Sequence, residues 1–265
     1  MKIFTPFFLL GMVCLSVVLL RPAAAQTIKK DEIIHNQWAA RPFSIDAQLN
    51  DWSDSLSFYN DDTRFAFDIS NNSETIFIAV KSTDKQNLGR IFSRGISFSF
   101  NTEGKKKNGP TIVFPIIDRS SQALKPAKAP TPAQVKEIQK KMLADIKRIN
   151  VFGFPDIRDG AISINNNYGV SAAAFLDAQD NLIIELAVPI RLLNITDPQQ
   201  PLFCLFEING IKAPRASYDP NQDYRSSRYG YPQRGYGYER MPRYSKSNEP
   251  TGFWIKSILA KNLNN

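Results

Sequence analysis

The sequence predicts an all-β protein: an antiparallel β-sandwich of jelly-roll or immunoglobulin-like layer architecture, with one inserted amphipathic helix. Three observations predict it. Apolar residues alternate with others in many short runs, as where Phe65, Phe67 and Ile69 interleave with Arg64, Ala66 and Asp68. Such a period of two marks a half-buried strand. Polar clusters such as Ser70–Ser73 and Asp177–Asn181 separate the runs as turns. Helices do not alternate with the strands, which argues against a parallel α/β arrangement.

In chain order, the first element is an export signal over residues 1–25. Lys2 supplies a positive start, residues 3–20 are predominantly apolar, Arg21-Pro22 breaks the run, and Ala23-Ala24-Ala25 precedes Gln26. Small residues at the third and first positions before a cut suit signal peptidase, so cleavage is placed between Ala25 and Gln26. The run approaches the roughly 18 residues of a spanning helix, but the proline and triple alanine favour cleavage over an uncleaved anchor. A lipidated Cys14 is set aside, because Val13 before it is not small. No later apolar stretch reaches membrane length, so the mature chain has no transmembrane segment and is read as secreted or periplasmic.

Residues 26–42 read as a loose leader, carrying Trp38 and the sole histidine, His35. The sandwich itself is expected over 43–265. After Phe65–Ile69, alternation recurs at Ile76, Ile78 and Val80 and at Ile96, Phe98 and Phe100; further strands are expected at 111–117, 161–165, 168–176, 182–188, 202–209 and 252–259. The helical insertion covers about 131–149. Thr131-Pro132-Ala133-Gln134 offers an N-cap, a proline in the first turn and a capping-box glutamine. Val135, Ile138, Met142, Ile146 and Ile149 draw one apolar stripe, expected to lie on a sheet, with the lysines as a solvated outer surface. Polar, Lys- and Pro-rich connections at 101–110 and 118–133 flank it.

The stretch 215–248 differs in kind. It holds seven of the nine tyrosines and seven Arg or Lys against three Asp or Glu, with glycines and prolines throughout. Composition reads as a low-complexity loop. The same residues suit adhesion, since tyrosine rings stack on sugars and arginine forks hold carboxylates or phosphates.

Charge and residue counts restrict the chemistry. The chain carries a net charge of +8, which suits anionic surfaces such as lipid headgroups or acidic glycans; export argues against nucleic acid. After cleavage Cys204 is the one cysteine, enough for neither an internal disulfide nor a zinc site, and it reads as a small buried hydrophobe. A single histidine in a leader disfavours Ser-His-Asp and Cys-His hydrolases. Glu185 and Glu207 are the pair that would have to face each other in a glycosidase.

The segment FSIDAQLNDW at 43–52 resembles the entry signature of family 9 carbohydrate-binding modules, carried here by Ile45, Asp46, Asp51 and Trp52. The run Leu182–Pro189, with Glu185 inside it and Leu192 after it, resembles the same family's strand with a glutamate followed by proline. The resemblance spans about 43–100 and 170–210, with 102–160 and 213–250 as insertions. It implies a β-sandwich, often calcium-bearing, that binds glycans between aromatics and does not cut them. Position 47 is alanine where that family usually has glycine, and Trp52 belongs to the packing motif, with Trp254 in the last strand read as the same kind of residue, so no tryptophan pair remains for a clamp. The expected ligand contacts are therefore Tyr59, Asp61 and Asp62 with Tyr229, Tyr231, Arg234, Tyr236 and Tyr238. Asp54, Asp61 and Asp62 are the candidates for calcium; no other cofactor is expected. The function expected is noncatalytic recognition of a carbohydrate or cell-envelope glycan. The alternative is a structural or adhesion protein presenting the Tyr/Arg/Gly segment to a partner.

Overall fold

The computed structural model describes residues 25–28, 32–52, 56–118, 130–195, 197, 199–211 and 249–262. Among them are fourteen strands and two α-helices, arranged as two facing sheets. The first sheet holds β1 (Gln26–Thr27), β4 (Phe58–Asn60), β5 (Phe65–Asn71), β6 (Thr75–Ser82), β12 (Leu182–Pro189) and β11 (Ser171–Leu176) in that order, with β3 (Gln37–Trp38) also paired to β5. The second runs β10 (Gly160–Ser163), β9 (Arg148–Phe152), β8 (Thr111–Phe114), β7 (Ile96–Asn101), β13 (Leu202–Ile208), β14 (Thr251–Ile258) and β2 (Ile33–His35).

Strand alternation decides the core. Phe65, Phe67 and Ile69 of β5, Ile76, Ile78 and Val80 of β6, and Ile184, Leu186 and Val188 of β12 face Phe98, Phe100, Ile112, Cys204, Phe206 and Ile255 of the second sheet. Phe67 and Phe206 meet edge-on with ring centroids 5.4 Å apart, closing the layer across its middle. Each such fully buried side chain contributes about 1.5–3 kcal/mol relative to exposure. Cys204 is among them, and burial pushes its thiol far above the ordinary range. It packs as a hydrophobe.

The leader is not loose. Its three short strands join both sheets in parallel pairings: β1 with β4, β2 with β14 and β3 with β5. The chain thus crosses from the second sheet to the first at Asn36, which is itself buried. Asn36 donates to Asn71, accepts from Ser257, and so ties the leader to β5 and to the C-terminal strand. Asn71 also accepts from the Ala260 amide at 2.8 Å. His35 sits in the edge strand β2 with its side chain exposed.

Among the described residues two α-helices are present where one was expected. Helix α1 (Lys85–Arg94) connects β6 of the first sheet to β7 of the second. Asp84 caps it, accepting from the amides of Gln86 and Asn87 at 2.7 and 3.3 Å. Gly95 ends it at φ 73°, where an added Cβ would lie 2.9 Å from the Pro115 carbonyl oxygen. Glycine alone fits there. Helix α2 (Pro132–Ala144) begins at the expected capping box of Thr131 and Gln134 but stops before Ile146. Ile146 turns into the core, and Ile149 and Val151 belong to β9. The helical stripe read through 149 therefore joins two elements, because a spacing of three from Ile146 to Ile149 also suits a turn followed by a strand.

Candidate functional site

The quoted family motif forms a docking joint. Leu182–Pro189 is buried along its whole length, because the segment 39–52 covers the outer face of the first sheet. Phe43 stacks on Phe77 and meets Trp52 edge-on, both at 4.9 Å. Glu185, on that same outer face and 1% exposed, receives the Asp46 and Ala47 amides at 3.0 and 2.6 Å on Oε2 and the Trp52 indole N–H at 2.7 Å on Oε1. Desolvation raises its carboxyl above the usual range, only partly offset by these three donors. Asp68 does the same two strands away, across β6, holding the Ser57 amide and hydroxyl at 3.1 and 2.6 Å, and its carboxyl is likewise raised by burial. Trp52 thus packs on the outer face of the sheet and not in the core between sheets. Ala47 sits at φ 59°, the left-handed conformation that glycine adopts without cost.

Glu185 and Glu207 cannot act on one substrate. Glu185 alternates with the inward Ile184 and Leu186, and Glu207 with the inward Phe206 and Ile208, so the two carboxylates point away from opposite outer faces. Trp254 also faces outward on the second sheet, opposite Leu205 in the β13–β14 ladder. It neighbours neither Trp52 nor Trp38 in the ladders, which belong to the other sheet.

Of the expected ligand residues, the structure describes Tyr59, Asp61 and Asp62, which lie together at one end of the sandwich. Tyr59 lies in β4, half-buried, and Asp61 and Asp62 are exposed in the following turn. Asn60 braces that turn by accepting from the Thr63 amide and hydroxyl at 3.0 and 2.9 Å. Its far side is fixed to α1: Asn87 donates to the Thr63 carbonyl at 2.9 Å, and Arg64 pairs with the capping Asp84 at 3.3 Å. Asp54, Tyr229, Tyr231, Arg234, Tyr236 and Tyr238 lie outside the described residues, as do residues 1–24 of the expected export signal. The two ends of the 212–248 segment are described, however. Strands β13 and β14 remain paired up to Ile208 and Thr251, so the connection leaves and re-enters the second sheet at one place.

Arg90, one helical turn beyond Asn87 on α1, clamps that place. Its guanidinium donates to the Thr251 hydroxyl at 3.2 Å, to the Ile208 carbonyl at 3.3 Å and to the Glu249 carbonyl. Burial lowers its pKa. Asn209 adds a second brace, accepting from the Ser97 hydroxyl at 2.7 Å and donating to the Arg94 carbonyl at 3.0 Å. Helix α1, which the sequence reading missed, therefore holds the Asp61-Asp62 turn on one side and the roots of the Tyr/Arg/Gly segment on the other. Its signals were present: Asp84 as a cap, Leu88 and Ile91 three apart, and Gly95 as a stop.

At the opposite end, a crevice between Thr102, Ile195, Asp197, Gln200, Leu202 and Leu259 offers about 10 Å³, room for no more than a water. Among the described residues no group of three or more His, Cys, Asp or Glu could hold a metal ion. No helix among them is long and apolar enough to cross a membrane. Comparisons with family models, curated proteins and solved structures return no match.

Proposed function

We propose that this chain is an exported, noncatalytic binding protein that recognises a carbohydrate, in particular a glycan of the cell envelope, at the α1 end of its sandwich. One observation carries the reading. The Asp61-Asp62 turn and both roots of the Tyr/Arg/Gly segment are fastened to the same helix, through Asn87 and Arg90. Carboxylates bond sugar hydroxyls, tyrosine rings stack on sugar faces, and arginines hold acidic sugars. The Asp61-Asp62 turn and the described residues that flank 212–248 both contact α1. The two segments that resemble family 9 carbohydrate-binding modules meet in one contact at Glu185.

A second reading is favoured by the β13–β14 stem itself. A sheet that opens at a single clamped point to admit a long connection presents that connection to a partner, whatever the partner's chemistry. In that adhesion reading the sandwich serves as a scaffold and sugar is not the ligand.

Calorimetric titration of residues 26–265 with acidic and neutral oligosaccharides, with and without calcium, tests both. The glycan reading expects binding by one sugar class and at least a tenfold loss when Tyr229, Tyr231, Tyr236 and Tyr238 are changed to Ser. If Asp61→Asn with Asp62→Asn alters neither calcium response nor affinity, these carboxylates have no part in it. Silence across the whole panel leaves the adhesion reading.

A further inference from the structure

Helix α2 leaves exposed the first two residues of the apolar stripe that its sequence would bury. Val135 and Ile138 are three residues apart, hence neighbours on one side of the helix, yet they are 38% and 45% exposed. The buried residue of α2 is Leu143, which lies on another side. The strand against which α2 packs, β11, adds Phe175 at 47% exposure on its outward face. The helix and the residues just after it are net basic. Residues 136–148 hold five Lys or Arg against two Asp or Glu. Lys136 pairs with Asp180, Lys140 with Glu137 and Arg148 with Asp118. Lys141 and Lys147 form no ion pair among the described residues, and both are exposed.

From this arrangement we propose that α2 docks the protein onto an anionic lipid surface, inserting Val135 and Ile138 at the headgroup–acyl boundary while Lys141 and Lys147 meet lipid phosphates. Charge complementarity decides for lipid over a protein groove. A helix with aliphatic side chains on its free face, Lys141 in its last turn and Lys147 just past its end, together exceeding the one intervening carboxylate, Asp145, matches the interfacial pattern, in which long lysine stems lie along apolar surface and keep their charge at the headgroups. The capping box of Thr131 and Gln134 fixes the helix without using that face. The inference stands apart from the glycan reading, since it involves neither the α1 end nor residues 212–248.

Vesicle flotation of residues 26–265 tests it. Neutral phosphatidylcholine vesicles are compared with vesicles containing about one-third phosphatidylglycerol, at low and high salt. The expected result is flotation with the anionic vesicles only, weakened by salt, and reduced at least fivefold both by Val135→Ser with Ile138→Ser and by Lys141→Gln with Lys147→Gln. Both pairs are exposed, and unchanged melting temperatures confirm that the variants fold. Absence of flotation, or flotation that neither pair of changes reduces, overturns the proposal. So does a concentration-dependent dimer abolished by Val135→Ser with Ile138→Ser, which would make a second copy of the chain the occupant of this face.

Discussion

Glu185 is the residue on which the covered face of the first sheet depends. Three N–H groups converge on its carboxylate, and glutamine would turn an NH₂ group toward at least one of them. Leaving a buried donor unmet costs about 1–3 kcal/mol, so Glu185→Gln is expected to destabilise by that amount in urea unfolding. The pH dependence has a defined sign. The folded carboxyl titrates above its ordinary 4.5, so between that value and the folded pKa the native state holds a proton that the unfolded chain has released. Stability from this group is therefore full below the unfolded pKa and is lost as pH rises through the folded one. Glutamine does not titrate. The penalty of Glu185→Gln is consequently larger at the acid end of that window than at neutral pH, and a penalty that grows toward neutral pH contradicts the assignment. Glu185 was visible in the sequence as part of a motif, but not as the acceptor for Trp52, because a sequence does not show which face of a doubly buried strand a residue takes.

Among the elements, strands were the most readable. Strands β5, β6 and β7 follow from the alternation of Phe, Ile and Val with smaller or polar residues, since one inward face per sheet favours that pattern, whereas β12 and β13 show as short apolar runs. The short leader strands were not readable: two or three residues carry no period, and tertiary pairing alone orders them. Helix α1 was missed because its apolar face is short, Leu88 and Ile91, and lies between two conspicuous strands. Its contribution is testable through Arg90. Arg90→Ala removes three hydrogen bonds from a charged donor, each worth about 1.5–3 kcal/mol at most. Hydrogen exchange is expected to quicken at 208–211 and 249–252 while β5 and β6 keep their protection. Equal loosening of both sheets would show that Arg90 braces the whole core and not the roots of the connection.

The molecule as a whole is a scaffold closed on one broad face by its own chain and organised at one end by α1. Composition singled out the tyrosines and arginines of 215–248 proposed for the site; that the Asp61-Asp62 turn and the residues flanking that segment hold the same helix was not readable, because α1 touches both sheets. Since β13 and β14 pair right up to the connection, the sandwich does not need that segment to form its ladder. Loop-closure entropy changes by only about 0.6 kcal/mol per doubling of length, so replacing 213–247 by a short Gly-Ser linker leaves the melting temperature unchanged or higher. The most direct test of the account compares that deletion with residues 26–265 in thermal shift against a panel of oligosaccharides. A sugar at ten times its Kd adds about 1.4 kcal/mol, roughly 3–6 °C for a domain of this size. The account predicts that shift for one sugar class in the intact chain and none in the deletion. A deletion that still folds and keeps the full shift would place recognition elsewhere on the sandwich and contradict it.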